Sequence, residues 1–195
     1  LKANWKLVTY TLELDPRGGE CDIDKMELVL NQEFTLPTPV RKGYEFLGWF
    51  DGDNQYRDGV WGISGNMKLS AKWNLQEYNI KYDLDGGSYE GKTSYTCEDS
   101  NFVLGTPEKP GYTFLGWTVD VHDLPRFNYE INTQKCADII AKANWEEQSH
   151  LIILDPNGGM VEHTTFELGY EYEYELPTPI REGYKFLGWN EEGSP

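Results

Sequence analysis

Apolar and polar side chains alternate along two segments of the chain, which is the pattern of a half-buried β-strand. The apolar positions are Val8, Tyr10, Leu12 and Leu14 in the first segment and Tyr78, Ile80 and Tyr82 in the second. Each segment leads to an Asp followed by a Gly-Gly pair, at residues 18–19 and 86–87, and a third such pair lies at residues 158–159. An Asx turn followed by glycine reverses the chain. The pattern therefore predicts three units that each open with a strand and a tight turn.

Three further strands follow in each unit, and the first of them is best seen at residues 26–30 and 34–36. The sequence YEFLGW, which ends at Trp49, is apolar on both faces, with Tyr44 and Phe46 on one side and Leu47 and Trp49 on the other. This pattern favours a central strand that is buried on both faces. Residues 67–73 alternate again and close the unit. Since no long helical periodicity occurs, we predict a mainly β fold (α+β at most), with no more than a short helical turn between the last two strands.

The same motifs return at fixed intervals, which identifies tandem repeats. The aligned sequences are LPTPVRKGYEFLGW at 36–49, LGTPEKPGYTFLGW at 104–117 and LPTPIREGYKFLGW at 176–189. In all three units 30 residues separate the second glycine of the pair from the tryptophan of the motif. A closing tryptophan, Trp5, Trp73 or Trp145, precedes each Gly-Gly pair by 13 residues. The one variable interval, 24 or 28 residues between motif and closing tryptophans, places an insertion within residues 118–138.

These intervals predict the domain boundaries. Residues 1–5 are the closing strand of a preceding repeat, residues 6–75 and 76–147 are the first and second repeats, and residues 148–195 are a third repeat without its closing strand. The chain begins with neither an initiator Met nor a signal peptide and is therefore expected to be a piece of a longer protein. Because only a few residues join the repeats of about 70 residues, an elongated, semi-rigid rod is expected.

Composition indicates the size of the hydrophobic cores, and net charge excludes some classes of binding partner. Hydrophobic residues make up only 38% of the chain and aromatic residues 14%, a balance that suits several small cores filled by a few rings. The formal charge of −16 argues against nucleic acid and anionic lipid as partners. No stretch approaches the ~20 apolar residues of a membrane span, so no membrane insertion is expected.

Histidine and cysteine give no sign of catalysis. The histidines His122, His150 and His163 occupy unrelated repeat positions and form no local nucleophile motif, so no enzyme is predicted. The cysteines have no CxxC spacing and therefore form no metal motif. Cys97 and Cys136 share one repeat and could form a disulfide, but the sequence leaves this pairing open.

Residues 51–62 begin like a calcium-binding loop. Tyr56 stands where such a loop needs glycine, and Gly62 stands where it needs an acidic residue. We therefore predict an ordinary acidic loop, with no metal and no cofactor.

The tryptophans divide into two groups. Six stand in repeat phase, which predicts core rather than ligand-binding rings. The predicted repeat core comprises Tyr44, Phe46, Trp49, Trp73, Tyr112, Phe114, Trp117, Trp145, Tyr184, Phe186 and Trp189. Trp61 lies outside the repeat phase, in a variable loop near Tyr56. These two rings are the best candidates for ligand contact, but for Trp61 packing at the edge of the domain is the favoured interpretation.

The order of strand, Asp-x-x-Gly-Gly turn, LPTPxRxGYxFxGW motif and closing LxAxW strand resembles the Listeria–Bacteroides repeat, also called the internalin B-type repeat. The resemblance covers nearly the whole chain, and the departures are Gly105 for proline, Pro110 before the glycine, and the longer loop at 118–138. The family implies small β-grasp-like units in secreted or surface-attached bacterial proteins. It implies no catalytic residues, and its binding partners are mostly undefined.

The leading functional hypothesis is a stalk or adhesin segment of a bacterial cell-surface or secreted protein, which spaces other domains and binds a host or bacterial surface protein through its variable loops. The first alternative is a glycan-binding module accessory to a secreted hydrolase, which requires an exposed Trp61. The second is a self-associating module, in which residues 1–5 of one copy complete the third repeat of another. The sequence alone does not identify the ligand.

Overall fold

The computed structural model describes residues 1–120, 123–170 and 172–191. The strands of the first repeat are β1 (Thr9–Asp15), β2 (Lys25–Val29), β3 (Glu33–Phe34), β4 (Tyr44–Asp51), β5 (Asn54–Tyr56), β6 (Gly59–Val60) and β7 (Met67–Leu75). Those of the second are β8 (Glu77–Asp83), β9 (Ser94–Thr96), β10 (Phe102–Val103), β11 (Tyr112–Thr118), β12 (Glu130–Ile131) and β13 (Ile139–Glu147). The third repeat contributes β14 (Ser149–Ile153) and β15 (Thr165–Gly169). Across the described ranges the only helix is a 3-10 turn at Thr133–Lys135, which confirms a mainly β fold of tandem repeats.

The closing strand lies at the centre of the main sheet in each of the first two repeats. The strand order is β2-β1-β7-β4-β5 in the first repeat and β11-β13-β8-β9 in the second. Strand β7 runs parallel to β1, with Leu14 opposite Leu69, and antiparallel to β4, with Phe46 opposite Trp73. Because β7 bonds to a neighbour on both sides, the sheet of a repeat depends on it more than on any edge strand.

The motif strand is not buried on both faces, so that prediction was wrong. The register of β4 against β7 shifts between Phe46 and Gly48, and β11 has the same bulge between Phe114 and Gly116. Gly48 has a φ of +133°, which favours glycine. The bulge turns Trp49 to the same face as Phe46, where the two rings meet edge to face at 5.7 Å. Leu47 is left 48% exposed on the other face.

The core of the first repeat is built from leucines and two tryptophans. Its buried members are Leu12, Leu14, Leu28, Trp49, Trp61, Leu69 and Ala71. The motif tryptophan is also fixed by a hydrogen bond, since the Trp49 indole N–H donates to the carbonyl of Pro37 at 2.7 Å. Trp117 repeats this bond to Gly105 at 2.8 Å, and Trp189 repeats it to Pro177 at 2.9 Å. The LPTP segment therefore supplies the acceptor for each motif tryptophan.

Closing tryptophans occupy one environment in the first two repeats. The indole N–H of Trp73 donates to the Pro16 carbonyl at 2.9 Å, and the ring packs on Gly19 and lies 5.4 Å from the ring of Phe46. A Cβ on Gly19 would lie 2.5 Å from the Trp73 ring, which explains why glycine ends the turn. These half-buried tryptophans join the Asp-x-x-Gly-Gly turn to the motif strand.

The structure sorts the predicted core residues into three groups. Trp49, Phe114 and Trp117 are buried, while Tyr44, Phe46, Trp73, Tyr112, Trp145 and Trp189 are half-buried. Tyr184 and Phe186 are exposed, at 68% and 36%, so their assignment to the core was wrong. Phe46 and Phe114 are each covered by a closing tryptophan, and residues 148–195 contain no counterpart of that strand. Trp5, in repeat phase as well, is 92% exposed.

The chain forms two compact units, and their boundaries do not coincide with those of the repeats. One unit comprises Leu1–Lys81, Lys92–Phe102 and Ile131–Ile139, and the other comprises Tyr82–Gly91, Val103–Glu130 and Ile140–Pro195. The first unit joins the first repeat to part of the second, and the second unit joins the rest of the second repeat to the third. Each unit therefore contains one repeat junction.

Candidate functional sites at the junctions and variable loops

Trp61 is a core residue, so the exposed ring that the glycan-binding alternative requires is not found there. It is 2% exposed and meets the edge of the Phe34 ring at 5.9 Å. Its backbone is fixed on both sides, because its N–H donates to the Gln32 carbonyl and its carbonyl accepts from the Asn31 N–H, both at 2.8 Å. Tyr56 lies half-buried against the same core. Neither ring forms an exposed platform for stacking on a sugar.

The loop at residues 51–62 is an ordinary hairpin connection. Asp51 pairs with Asn54 where β4 turns into β5, and the Asp53 carboxylate lies 3.2 Å from the Lys72 amine. Among the residues that the structure describes, no group of three or more His, Cys, Asp or Glu side chains is placed to bind a metal ion. His163 lies 3.8 Å from the Glu162 carboxylate at the surface, and His122 lies outside the described residues.

The first junction is built on Gly43 of the LPTP-to-motif turn. The linker residue Gln76 donates its backbone N–H to the Gly43 carbonyl at 2.9 Å. Gly43 has a φ of +81°, and a Cβ there would lie 2.5 Å from the sulfur of Cys97 in the second repeat. The neighbouring Tyr44 hydroxyl donates to the carboxylate of Glu98. A backbone bond, a close apolar contact and a side-chain bond thus connect the two repeats.

The tyrosine of this junction also contacts a cation of its own repeat. The guanidinium of Arg41 lies 3.6 Å above the Tyr44 ring, a cation–π contact. The hydrogen bond to Glu98 raises the pKa of the Tyr44 phenol above its usual value, because it favours the protonated hydroxyl. The bond is therefore intact at neutral pH.

The second junction repeats the first with different side chains. Gln148 donates its backbone N–H to the Gly111 carbonyl at 2.8 Å, and Gly111 has a φ of +74°. The ring of Tyr170 lies where a Cβ on Gly111 would be. Lys109 replaces the arginine and lies 4.1 Å from the Tyr112 ring centre. A linker glutamine and a motif glycine are thus common to both junctions. The sequence carried a signal for this, since Gln follows both Trp73 and Trp145 by three residues.

Substituting Gly43 should loosen the first junction. Gly43→Ala places a Cβ against Cys97 and forces an alanine into a left-handed backbone conformation. Gly52→Ala is the matched control: it has a similar backbone cost, at a φ of +59°, but its Cβ would have no atom within 4 Å. We expect faster hydrogen exchange at the Gln76 amide in the first variant only, because that amide donates to Gly43. Equal exchange rates in the two variants would show that the close contact does not hold the junction.

A disulfide supports the segment that contacts Gly43. Cys97 and Cys136 are bonded, which resolves the pairing that the sequence left open, and Cys21 is a free thiol. The Gln134 side-chain amide donates to the Cys97 carbonyl at 2.6 Å, and the buried Thr133 hydroxyl donates to the Asp99 carbonyl at 2.6 Å. The 3-10 turn therefore fixes the segment around residue 97 from one side while Gly43 contacts it from the other.

The longer loop of the second repeat exposes apolar side chains. Leu124 is 80% exposed and Phe127 is 55% exposed. Tyr129 is buried, and its hydroxyl donates to the Asp123 carboxylate at 2.9 Å, which ties this part of the loop together. The loop thus combines an anchored tyrosine with exposed apolar groups, a composition suited to contact with another protein.

Two tyrosines with raised pKa values should make the second repeat sensitive to alkali. Burial raises the pKa of Tyr82 to about 12, and burial together with the bond to Asp123 raises that of Tyr129 to about 12, from an ordinary value of 10.0. Since the folded-state pKa lies above the unfolded value, this stabilisation is complete below pH ~10 and is lost as the pH rises towards 12.

Phenolate absorbance and hydrogen exchange in β11 and β13, measured as a function of pH, test whether the stability of the second repeat falls as the pH rises towards 12. Tyr82→Phe and Tyr129→Phe should each flatten the alkaline decline in stability. A decline that begins well below pH ~10 would contradict it.

Comparison with known proteins gives the chain a family context. A sequence profile described as the Listeria-Bacteroides repeat domain matches residues 10–72, 78–142 and 150–194. A provisionally named membrane protein of Evansella cellulosilytica is 27% identical over 98% of this chain and 30% of its own length, and a provisionally named Gly-rich membrane protein of that organism is 28% identical over 98% of this chain and 22% of its own length. Internalin H of Listeria monocytogenes is 29% identical over 55% of this chain and 20% of its own length.

The chain thus spans less than a third of each of these relatives. No solved structure matches it. Within the described part of the chain, no helix has the length and apolar composition of a membrane span.

Proposed function

Because this chain belongs to the Listeria-Bacteroides repeat family, we propose that it is a non-catalytic segment of a bacterial surface protein, which spaces other domains and contacts proteins through its variable loops. The observation that carries the proposal is the repeated junction. At both junctions a linker glutamine bonds to a motif glycine, and the next repeat packs on that glycine. A connection of this kind limits the motion of adjacent repeats, which is what a spacer requires.

The surface location rests on the relatives. Two of them carry names as membrane proteins and one as an internalin, and the chain corresponds to only part of each. We propose that this chain is the extracellular part of such a protein. The charge of −16 suits that location, because a net acidic charge keeps a repeat segment soluble and disfavours anionic lipid.

The binding role is assigned to the loop of the second repeat. The motif strands and turns are common to the repeats, whereas the length between motif and closing tryptophans differs. In the first repeat this interval places Trp61 in the core, whereas in the second it exposes Leu124 and Phe127. We propose that such differences give each repeat its own protein partner. The buried Trp61 offers no support for a glycan site.

An array of extracellular proteins probed with this chain at physiological salt tests the binding role. Any protein that binds should bind at least tenfold more weakly to the double variant Leu124→Ser/Phe127→Ser, given the contribution of exposed apolar anchors to interfaces. Leu47→Ser is the matched control, because Leu47 is also exposed but lies on the framework strand β4. Binding that is lost in the control and retained in the loop variant would contradict the assignment.

A further inference from the structure

The disulfide of the second repeat lies directly at the first junction. Thr96 at the end of β9 pairs with Glu77 at the start of β8, and Cys97 follows. A Cβ on Gly43 would lie 2.5 Å from the Cys97 sulfur and 3.6 Å from the Cys136 sulfur. Both sulfur atoms therefore lie beside the glycine whose carbonyl accepts the hydrogen bond from the linker amide.

The cross-link also restrains the backbone on both sides of it. Cys136 ends the 3-10 turn with a φ of 53° and a ψ of 59°, a left-handed conformation that is unfavourable for a residue with a side chain. Glu98, next to Cys97, accepts the hydrogen bond from the Tyr44 hydroxyl. Because the disulfide ties residue 97 to the turn, it holds in place both residues of this segment that contact the first repeat.

The two sulfur atoms differ in their access to solvent. Cys97 is 7% exposed, whereas Cys136 is half-buried. An attacking thiolate therefore reaches Cys136 more readily than Cys97, and access decides which sulfur of a disulfide is attacked. The Cys136 sulfur also lies 3.4 Å from the Gln134 carbonyl, so a thiol formed there has a hydrogen-bond acceptor.

We propose that this disulfide is a redox switch of the first junction, which a dithiol reductant loosens and reoxidation restores. One thiolate of the reductant attacks the Cys136 sulfur and displaces Cys97 as a thiolate, which takes up a proton. The second thiolate of the reductant then attacks the mixed disulfide and releases Cys136, which is protonated in turn. Two electrons and two protons thus pass to the protein, and the reductant leaves as a disulfide.

The proposal rests on the spacer role above, because it concerns the stiffness that a spacer requires. Once the cross-link is cut, the end of β9 can separate from the 3-10 turn, and Gly43 loses the fixed surface on which it packs. The repeats on either side of the linker then move more freely. Oxidation reverses each of these steps, so the stiffness of the segment follows the thiol–disulfide balance outside the protein.

The second junction contains no such switch. There the ring of Tyr170 lies against Gly111, and residues 148–195 contain no cysteine. A reductant should therefore act on one junction and leave the other unchanged. The Gln148 amide, which donates to Gly111, is for this reason an internal control for the Gln76 amide, which donates to Gly43.

Amide hydrogen exchange of the full chain, measured by NMR with and without dithiothreitol, tests the proposal. The chain carries Cys21→Ser, so that Cys97 and Cys136 are its only cysteines. In the reduced chain the Gln76 amide should exchange about tenfold faster or more, since the cross-link no longer opposes local opening. The Gln148 amide should be unchanged, and reoxidation should restore the slow rate. In the matched control, which also carries Cys97→Ser/Cys136→Ser, dithiothreitol should have no effect.

Alkylation followed by mass spectrometry shows whether the pair is reduced in the folded chain. A pair that resists dithiothreitol overturns the proposal, and so does a reduced pair with unchanged exchange at Gln76. Faster exchange at both Gln76 and Gln148 also overturns it, because the chain then unfolds as a whole. Exchange at Gln76 that is already fast in the oxidised chain overturns the spacer role as well, whereas slow exchange in both states overturns the switch alone.

Glutathione, which has a single thiol, tests the assigned site of attack. It should leave a mixed disulfide on Cys136, which peptide mapping of the full chain locates. An adduct confined to Cys97 would overturn the assigned order of the two steps, since the more buried sulfur would then be the one that is attacked.

Discussion

Replacing Trp61 with alanine is expected to lower the free energy of unfolding of the first repeat by about 3–5 kcal/mol, the usual cost of removing a large buried aromatic side chain. The ring is 2% exposed and packs among the leucines of the core, so the variant leaves a cavity that the strands around it cannot close. Hydrogen exchange of the β1 and β7 amides during denaturation measures the stability of this repeat separately from the second.

Trp61→Phe is the matched control for this loss. Within the described part of the chain the indole N–H of Trp61 has no hydrogen-bond acceptor, and an unsatisfied buried donor is itself unfavourable by about 1–3 kcal/mol. Phenylalanine removes that donor while keeping most of the apolar ring, so the variant should lose far less stability than alanine. If Trp61→Ala kept full stability and lost binding to a sugar, the ring would be a ligand contact and its place in the core would be wrong.

Removing the disulfide should have an effect of similar size in the second repeat. Cys97 and Cys136 are separated by 39 residues, and closing a loop of that length is worth about 3–4 kcal/mol through the entropy of the unfolded chain. The double variant Cys97→Ser/Cys136→Ser should therefore unfold at lower denaturant concentration, with exchange at the Ile80 and Tyr95 amides accelerated first. Cys21→Ser is the control, because Cys21 is a free thiol.

Loss of the disulfide should also loosen the first junction. Cys97 contacts Gly43, so the Gln76 amide should exchange faster in the double variant even under conditions where the second repeat stays folded. A double variant that is as stable as the native chain would mean that the 3-10 turn and Thr133 suffice to fix the loop.

The sequence predicted the strands well because their signal is local. Alternation at Tyr10, Leu12 and Leu14 and the fixed spacing of the tryptophans depend only on neighbouring residues and on the repeat. The bulge at Gly48 could not be read this way, since a single extra residue moves Trp49 to the opposite face without changing composition. The place of Trp61 in the core was missed for a related reason. The other tryptophans were assigned to the core because they recur in each repeat, and Trp61 has no counterpart in the other repeats.

Sites formed by two distant segments could not be predicted from the sequence. The Gly43–Cys97 contact joins residues of different repeats, and the exposure of Phe186 depends on which strand covers it. The hydrophobic pattern along the chain indicates which residues are suited to the core, but tertiary contacts decide whether another segment covers them. That distinction explains why Tyr184 and Phe186 were predicted as core and are exposed.

Whether a junction fixes neighbouring repeats is tested most directly by residual dipolar couplings of backbone amides in the intact chain. Couplings from residues 9–75 and from residues 77–81, 92–102 and 131–139 are fitted separately to an alignment tensor. A spacer held by the Gly43 contact predicts the same tensor, in magnitude and orientation, for both sets. Two different tensors, or a much smaller magnitude for one set, would show that the repeats move independently and would contradict the spacer role.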